Sequence, residues 1–293
     1  MSKPKLSVII TAKDINDPKL KELIWSIRQQ TFKNYEVIVV TEGDSESAKA
    51  IGIKKAKGKV ICILASDNFL NDIKFFEKCM PIPYEIGSFP AFYYYNKCDN
   101  ILNRYFALIG CNDPIPLYLG KNDKFSYFNK FNQDSFYIKH NRDITTLGDN
   151  GMFIMKDIIL KADIKHYYHI DVFKDLFNLG YKTYKVVNTS IWHRTGGNIL
   201  KFFLKRYRYA DKFATPFRRW HMVEKKDIPK LLWFIFCTIT LIQPLYLSVK
   251  GYRIIKDKAW FLHPIVCWLT LITYGIWTLK KLTKSILTHV SNF

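Results

Sequence analysis

Three apolar runs in the first 70 residues are each followed by groups able to do chemistry. Leu6–Ile10 runs into Thr11-Ala12-Lys13, Tyr35–Val40 into Thr41-Glu42-Gly43-Asp44, and Lys59–Leu64 into Ala65-Ser66-Asp67-Asn68. Carboxylates and amides at such positions can hold a cation or a hydroxyl, and Lys13 can meet an anion. A second concentration lies later. Five of the nine arginines fall between 194 and 219: Arg194, Arg206, Arg208, Arg218 and Arg219. Lysine is the default cation of this chain, so clustered arginine points to planar, bidentate oxyanion recognition. No GxGxxG and no GxxxxGK[ST] occurs, which excludes a dinucleotide fingerprint and a P-loop.

The elements that must position these groups alternate. Leu6–Ile10 reads as a strand, and Lys19–Gln30 as an amphipathic helix with Leu20, Leu23, Ile24 and Ile27 on one face. Tyr35–Val40 reads as a strand buried on both faces. Ser45–Ala56 reads as a helix ended by Gly58, and Lys59–Leu64 as a third strand. Short links between alternating elements imply parallel strands with right-handed crossovers. Ligands of such sheets sit at the carboxyl ends of the strands, where the polar groups gather. Further on, His169 opens a helix that ends near Gly180, and strand residues 185–187 precede Ile191-Trp192-His193-Arg194. The stretch 81–139, rich in Tyr, Phe and Asn, reads as an insertion walling an acceptor side or as an aromatic surface subdomain.

The chain has 293 residues and a formal net charge of +20, an excess that calls for an anionic partner. Six cysteines form no CxxC pair and no zinc spacing, so buried thiols in a reducing compartment are expected. The first run is too short for a signal-peptide core, which places the bulk of the protein in the cytoplasm. Two uncharged stretches, Leu231–Val249 (19 residues) and Ala259–Leu279 (21 residues), are long enough to cross a bilayer as helices. Pro244 and Pro264 argue for kinks or a shallow hairpin. The basic link 250–258 would lie outside in a full hairpin, against the positive-inside tendency, so a re-entrant pair stays open. Residues 194–226 hold ten Lys or Arg and two acids, interleaved with Phe202, Phe203, Leu204, Tyr207, Tyr209 and Phe213. Ahead of an apolar pair, that mixture reads as an interfacial helix on anionic lipid. RNA, the other partner for such mixing, is disfavoured by the adjoining apolar runs, so no nucleic acid is expected.

Residues 26–40, SIRQQTFKNYEVIVV, resemble the opening of family 2 glycosyltransferases, where a helix with a Ser…Gln-Thr ending leads into an EVIVVDDGS strand. Residues 56–68, AKGKVICILASDN, are similar to the family's A.G.YI.FLDSDD segment. The resemblance covers residues 5 to about 72. It implies the GT-A fold, an α/β architecture with a mixed central sheet, together with a nucleotide-sugar donor and a divalent metal, Mg²⁺ or Mn²⁺. Two positions depart from the pattern. Thr41 replaces the first acid of the second strand, leaving Glu42 as base or ribose contact, and the DxD motif begins at Ala65, so Asp67 is its only carboxylate, with Asn68 beside it. Away from the family, Asp67 reads as a turn residue capping a helix. Residues 146–153 resemble the loop that positions sugar and acceptor, which brings in Asp149 and Asn150. Residues 169–181 look like the ED…L…GY segment, whose aspartate, here Asp171, is the general base; Ile170 replaces the preceding acid. Without the family, Asp171 is a first-turn acid favoured by the helix dipole. The resemblance also offers His193 as a metal or diphosphate ligand, although a lone histidine is more often structural.

Taken together, the expected organisation is a GT-A domain over 1–195, a basic amphipathic interfacial segment over 196–227, and a membrane-associated helical hairpin and tail over 228–293. The expected function is inverting transfer of a sugar from a nucleotide-diphosphate donor to a lipid-linked acceptor, foremost polyprenyl phosphate, with the catalytic domain on the cytoplasmic face of a membrane. Donor contacts fall to Thr11, Lys13, Glu42, Asp67, Asn68, Asp149 and Asn150, the metal to Asp67 and His193, and the acceptor phosphate or headgroup to Arg194, Arg206 and Arg208. A hydroxyl of a lipid-linked or cell-surface glycan is the alternative acceptor, and a degenerate membrane scaffold the alternative of another class.

Overall fold

The structure is a computed structural model that describes residues 3–80, 86–139, 146–215, 217–221 and 223–290. Residues 1–2, 81–85, 140–145, 216, 222 and 291–293 of the expected zones, and the side chains of residues 212, 213 and 285–290, lie outside the described residues. One eight-stranded sheet carries the first two thirds of the chain, in the order β2-β1-β3-β7-β5-β8-β4 with β6 also on β8. Strands β1 (Leu6–Thr11), β2 (Tyr35–Val40) and β3 (Val60–Ala65) are parallel, as expected. Strand β7 (Met152–Met155) enters antiparallel to β3, which makes the sheet mixed.

Every residue of β1 is buried, and alternate side chains feed two cores. Val8 and Ile10 pack with Leu20, Leu23 and Ile27 of helix α1 (Pro18–Arg28), while Ile9 packs with Ile53 of α2 (Ser45–Lys55). The helix starts follow the sequence chemistry: Asp17 accepts from the Lys19 N–H and Asp44 from the Ser47 N–H. Gly58 does not terminate α2, which stops at Lys55. Its role is close approach, since a Cβ there would lie 2.7 Å from the Ser7 nitrogen.

The stretch from 86 to 139, read as an insertion or an aromatic subdomain, contributes a strand to the sheet at each end. Strand β5 (Gly87–Tyr93) lies between β7 and β8 (Thr183–His193), with Phe89, Ala91 and Tyr93 buried. Pro90 obscured it in sequence, because proline argues against a central strand; here the register with β8 shifts between Pro90 and Phe92. A two-residue strand, β4 (Asn68–Phe69), and β6 (Ser135–Lys139) both pair antiparallel with β8. Between β5 and β6 lie α4 (Ile101–Ile109) and α5 (Pro114–Leu119); α3 (Phe75–Cys79), α6 (Lys156–Ile159) and α7 (His169–Asn178) complete the helices of the sheet domain.

Helices α4 and α5 form the seat of the C-terminal helices α8 (Ile199–Phe213), α9 (Ile228–Thr240), α10 (Ile242–Ile254) and α11 (Leu262–Val290). Tyr105 and Phe106 of α4 share a core with Phe203, Trp260 and Val266, and Ile115 and Leu119 of α5 share one with Phe234 and Cys267. The first long apolar stretch is broken: α9 and α10 are bent by 81°, with Leu241 at φ 60°. Pro244 explains the break, since its ring clashes with a helical carbonyl four residues earlier, and Thr240 is the last residue of α9. Pro264 makes no kink; it sits in the first turn of α11, where a missing N–H costs nothing. Lys258–Lys284 is long and apolar enough to cross a membrane. All six cysteines are free, and Cys98 alone among them is exposed.

Asp257, in the link between α10 and α11, ties this assembly to the sheet domain. It accepts from Tyr95 Oη (2.5 Å) and the Ala259 N–H (2.8 Å) and pairs with Arg104 Nε (3.0 Å). Burial raises its pKa, but these donors outweigh that and hold the carboxyl below its ordinary value. Asp257→Ala leaves Arg104 Nε and the Tyr95 phenol without their partner and should cost about 2 kcal/mol, while Tyr95→Phe should cost about 1 kcal/mol. Urea unfolding in mild detergent measures both, and an unchanged midpoint for Asp257→Ala would show that the tie is not structural.

Candidate functional site

The parallel strands deliver their carboxyl ends to one edge, and the end of β8 returns to that edge beside β4. Asn68 pairs with His193 and Phe69 with Trp192, and the Arg194 N–H donates to the Asp67 carbonyl at 3.0 Å. His193 Nε2 therefore stands 3.4 Å from Asp67 Oδ1, which is buried and accepts no hydrogen bond. Burial pushes the Asp67 pKa up, but His193, Lys19 and Lys205 outweigh it and leave the carboxyl below its ordinary value. The two side chains open on a cleft of about 170 Å³, whose other walls are Asn112, Thr195 and one face of α8: Phe202, Lys205, Arg206 and Tyr209.

Beneath the cleft runs a chain of hydrogen bonds. The Ala65 N–H donates to Asn68 Oδ1, Asn68 Nδ2 to Asn150 Oδ1 (3.1 Å), Asn150 Nδ2 to Tyr93 Oη (3.0 Å), and Tyr93 Oη to Asp123 Oδ2 (2.6 Å). Burial and the Asp123 charge raise the Tyr93 pKa well above its ordinary value, so the phenol keeps the proton it donates. Asn150 sits at φ 51° between Asp149 and Gly151 (φ 85°), with Gly148 at φ 117°. Asparagine tolerates the left-handed region better than most residues, which is how Gly-Asp-Asn-Gly makes this turn. Asp149 faces elsewhere: Lys49 Nζ lies 2.7 Å from its Oδ1 and His169 Nδ1 3.4 Å from its Oδ2. Burial raises the Asp149 pKa, yet Lys49 and His169 bring it below the ordinary value.

Other expected residues divide. Thr11 ends β1, buried, with its carbonyl accepting from the Ser66 N–H. Lys13 and Glu42 are exposed, Glu42 with only Lys55 at 4.0 Å, and neither joins the cleft. Arg194 pairs with Glu22 and lies over the Trp192 and Phe69 rings, away from the cleft lining. Arg206 faces the cleft and donates to the Asn112 carbonyl (3.1 Å), whereas Arg208, two residues or about 200° round the helix, is exposed on another face. Asp171 is fully buried, with Oδ1 bonded to Arg218 Nε (2.9 Å) and Oδ2 to the Arg219 N–H (2.8 Å). Both oxygens are engaged and buried, so in this structure Asp171 clamps the chain after α8 and does not open on the cleft.

The sequence reading passed over Lys205, Asn112 and Lys49. Lys205 carried a signal, since 202, 205, 206 and 209 share one helical face. Asn112 carried no local signal, because its contact with His193 Nδ1 (3.3 Å) joins positions 81 apart.

Among the described residues, no three His, Cys, Asp or Glu side chains gather as a metal cluster. Of the two Asp–His pairs, Asp67–His193 opens on the cleft while Asp149–His169 is joined by Lys49, and the bare Asp67 Oδ1 is the kind of donor a hard cation takes. Mg²⁺ commonly binds through one or two carboxylates and draws its remaining ligands from substrate phosphates and water. The Asp67 carboxylate suits that minimal mode, and Asp67 with His193 beside it would be the residues to hold an ion.

No protein-family profile and no curated protein sequence matches this chain. Among solved structures, it is similar to the crystal structure of S. aureus TarS 1-349, over 96% of this chain and 91% of that one, with 9% identity and a TM-score of 0.39. The same fragment in complex with UDP-GlcNAc gives 11% identity and a TM-score of 0.40, over 96% and 92% of the two chains.

The Asp149–Lys49 pair makes an acid prediction. Because the folded carboxyl titrates below its ordinary value, its contribution to stability is complete above about pH 4 and fades as pH falls through the folded pKa. Lys49→Gln removes the first cause of that depression, so the loss should begin at higher pH. Carboxyl NMR titration of Asp149 checks the shift, and an unmoved titration would show that Lys49 is not its partner in solution.

Proposed function

We propose that this chain is a glycosyltransferase of GT-A architecture, moving a sugar from a nucleotide-diphosphate donor to a lipid-linked acceptor phosphate such as polyprenyl phosphate. The observation that carries the reading is the cleft in which the Asp67–His193 pair meets Lys205 and Arg206 of α8 at the carboxyl edge of the parallel strands. A carboxylate beside a basic wall suits two phosphorylated substrates meeting at one point. The resemblance of residues 5–72 to family 2 glycosyltransferases supports the donor class.

In this reaction an oxygen of the acceptor phosphate forms a bond to the anomeric carbon while the bond from that carbon to the diphosphate oxygen breaks. The nucleoside diphosphate leaves with the electron pair, and the anomeric centre inverts. A phosphate oxygen is already anionic and gives up no proton, so positioning rather than a base is required. The burial of Asp171 against Arg218 accords with that economy, and favours a phosphate over a hydroxyl acceptor. A divalent ion at Asp67 and His193 would neutralise charge developing on the leaving group. Lys205 and Arg206 hold and orient the phosphates from the α8 side, and Arg206 is itself braced by Asn112. Asn150 and Tyr93 fix the Asn68 side chain, and through the turn they fix Asp67.

The test is donor turnover with a panel of nucleotide-sugars and a short-chain polyprenyl phosphate, with Mg²⁺ or Mn²⁺ and after chelation. Asp67→Asn should lower transfer and donor hydrolysis by about 10²-fold or more with the fold intact. Arg206→Ala should weaken acceptor binding about tenfold or more, as a charge-assisted contact is lost, and Arg208→Ala should leave turnover near that of the unaltered protein. Asp171→Asn with full refolded yield and a 10²-fold fall in turnover would restore the hydroxyl acceptor. Absence of transfer and hydrolysis across the panel would favour the scaffold.

A further inference from the structure

We propose that α9, α10 and α11 lie in a single leaflet of an anionic bilayer and that none of them crosses it. The proposal rests on the membrane-facing part of the reading above, and its readouts use no transfer activity, so the two fail separately.

Helix α11 is the one continuous candidate for a span among the described residues, and it is tied to α4, to the residue that caps α5, and, at the surface, to α8. Tyr105 Oη meets His263 Nδ1 at 2.8 Å near its start, Tyr274 Oη donates to Asp113 Oδ2 at 2.6 Å, and near its end Trp277 Nε1 donates to Asp211 Oδ1 at 3.1 Å while Lys281 pairs with the same oxygen. These contacts span positions 263–281, or about 27 Å of helix. A helix so tethered does not stand away from its domain to cross a bilayer.

Its opposite side is bare and apolar. Ile265, Trp268, Ile272, Ile276, Leu279 and Leu282 are exposed, spaced three or four apart. Helix α9 leaves out Leu232, Trp233, Phe236 and Ile239, and α10 leaves out Ile242, Leu245, Tyr246 and Val249. Contiguous exposed apolar surface of this size marks an interaction site. The 81° break turns α9 into α10 rather than through a membrane, and Asp257 returns the chain to the sheet domain beside Tyr95 and Arg104. The basic link before Asp257 therefore stays on the protein's own side, which removes the conflict with the positive-inside tendency.

Charge selects the occupant. Residues 196–293 hold 17 Lys or Arg and four acids. Exposed cations stand at the ends of the apolar faces: Lys225 and Lys230 at α9, Arg253 and Lys256 at α10, Lys280 and Lys284 at α11. A second copy of this chain would set such rims against each other, whereas an anionic leaflet matches them.

The experiment uses the full chain in a Cys98→Ser background, added to preformed vesicles, with single cysteines at Lys256→Cys, Ile272→Cys or Lys284→Cys. A membrane-impermeant maleimide is applied from outside before and after permeabilisation. Residues 256 and 284 should both label without permeabilisation, and 272 should be shielded on binding. Vesicles of phosphatidylcholine with phosphatidylglycerol should bind about tenfold or more tighter than phosphatidylcholine alone. Label at 284 that requires permeabilisation would mean α11 spans. Equal labelling of 272 with and without vesicles, or a stable dimer that binds no vesicles, would overturn the proposal.

Discussion

Asn68 and Phe69 pair with His193 and Trp192 over two residues, and the Asp67 carbonyl closes the ladder by accepting from the Arg194 N–H. Asp67 lies two residues beyond the third parallel strand and His193 ends the last strand of the sheet, 126 positions later in a chain of 293. Without this clasp the two have no reason to meet. It also sets the direction in which the chain leaves the sheet, and so where α8 falls across the strand ends. The clasp is short, and it is supported laterally: Phe69 lies edge-on to Trp192, Trp192 Nε1 donates to Asp99 at 2.8 Å, and Arg194 covers both rings. Backbone pairing gives the register, and the aromatic cluster supplies the burial that two ladder pairs cannot.

Charge in this molecule is spent in two ways. Several interior carboxylates are matched by cations: Asp171 by Arg218, Asp149 by Lys49, Asp227 by Lys121 at 2.6 Å, and Asp257 by Arg104. Such pairs give little net stability and much specificity of placement, because breaking one leaves a charge buried alone. Asp67 differs in that one oxygen has no hydrogen-bond donor and faces a histidine and an open cleft. A buried carboxylate oxygen without a hydrogen-bond donor calls for an explanation, and among the described residues Glu224 Oε2 shares that state, but only Asp67 lines the cleft.

The first half of the sheet was legible because parallel strands buried on both faces read as continuous apolar runs, and Asp17 and Asp44 announce the helices between them. Strand β5 was not, since Pro90 argues against a central strand and nothing local signals the register shift that accommodates it. Strand β8 read as two pieces, because Asn188, Thr189 and Ser190 interrupt its apolar pattern where β5 also shifts. At the site, Asp67 and Asn68 were legible from the strand end. The fate of Asp171 was not, because its partners lie 47 and 48 positions away and a first-turn acid looks the same whether open or clamped. The separation of Arg206 from Arg208 was legible in the helical period alone, as was the grouping of Lys205 with Arg206.

Helix α8 is a wall shared by two structures. Its 202, 205, 206, 209 face closes the cleft, while Phe203 joins the core formed by α4 and the start of α11. Opposite it, two consecutive residues divide the same labour: Asn112 lies between His193 and Arg206, and Asp113 caps α5 and accepts from Tyr274 of α11. Adjacent Cα atoms are about 3.8 Å apart, so a displacement of α11 sufficient to break the Tyr274 bond acts within one residue of a contact to His193. Close-packed interiors pass such shifts on rather than absorbing them. The apolar helices and the cleft are thus one mechanical unit. A surface that fixes the position of α11 also fixes the distance between the cleft-facing side of α8 and the strand ends.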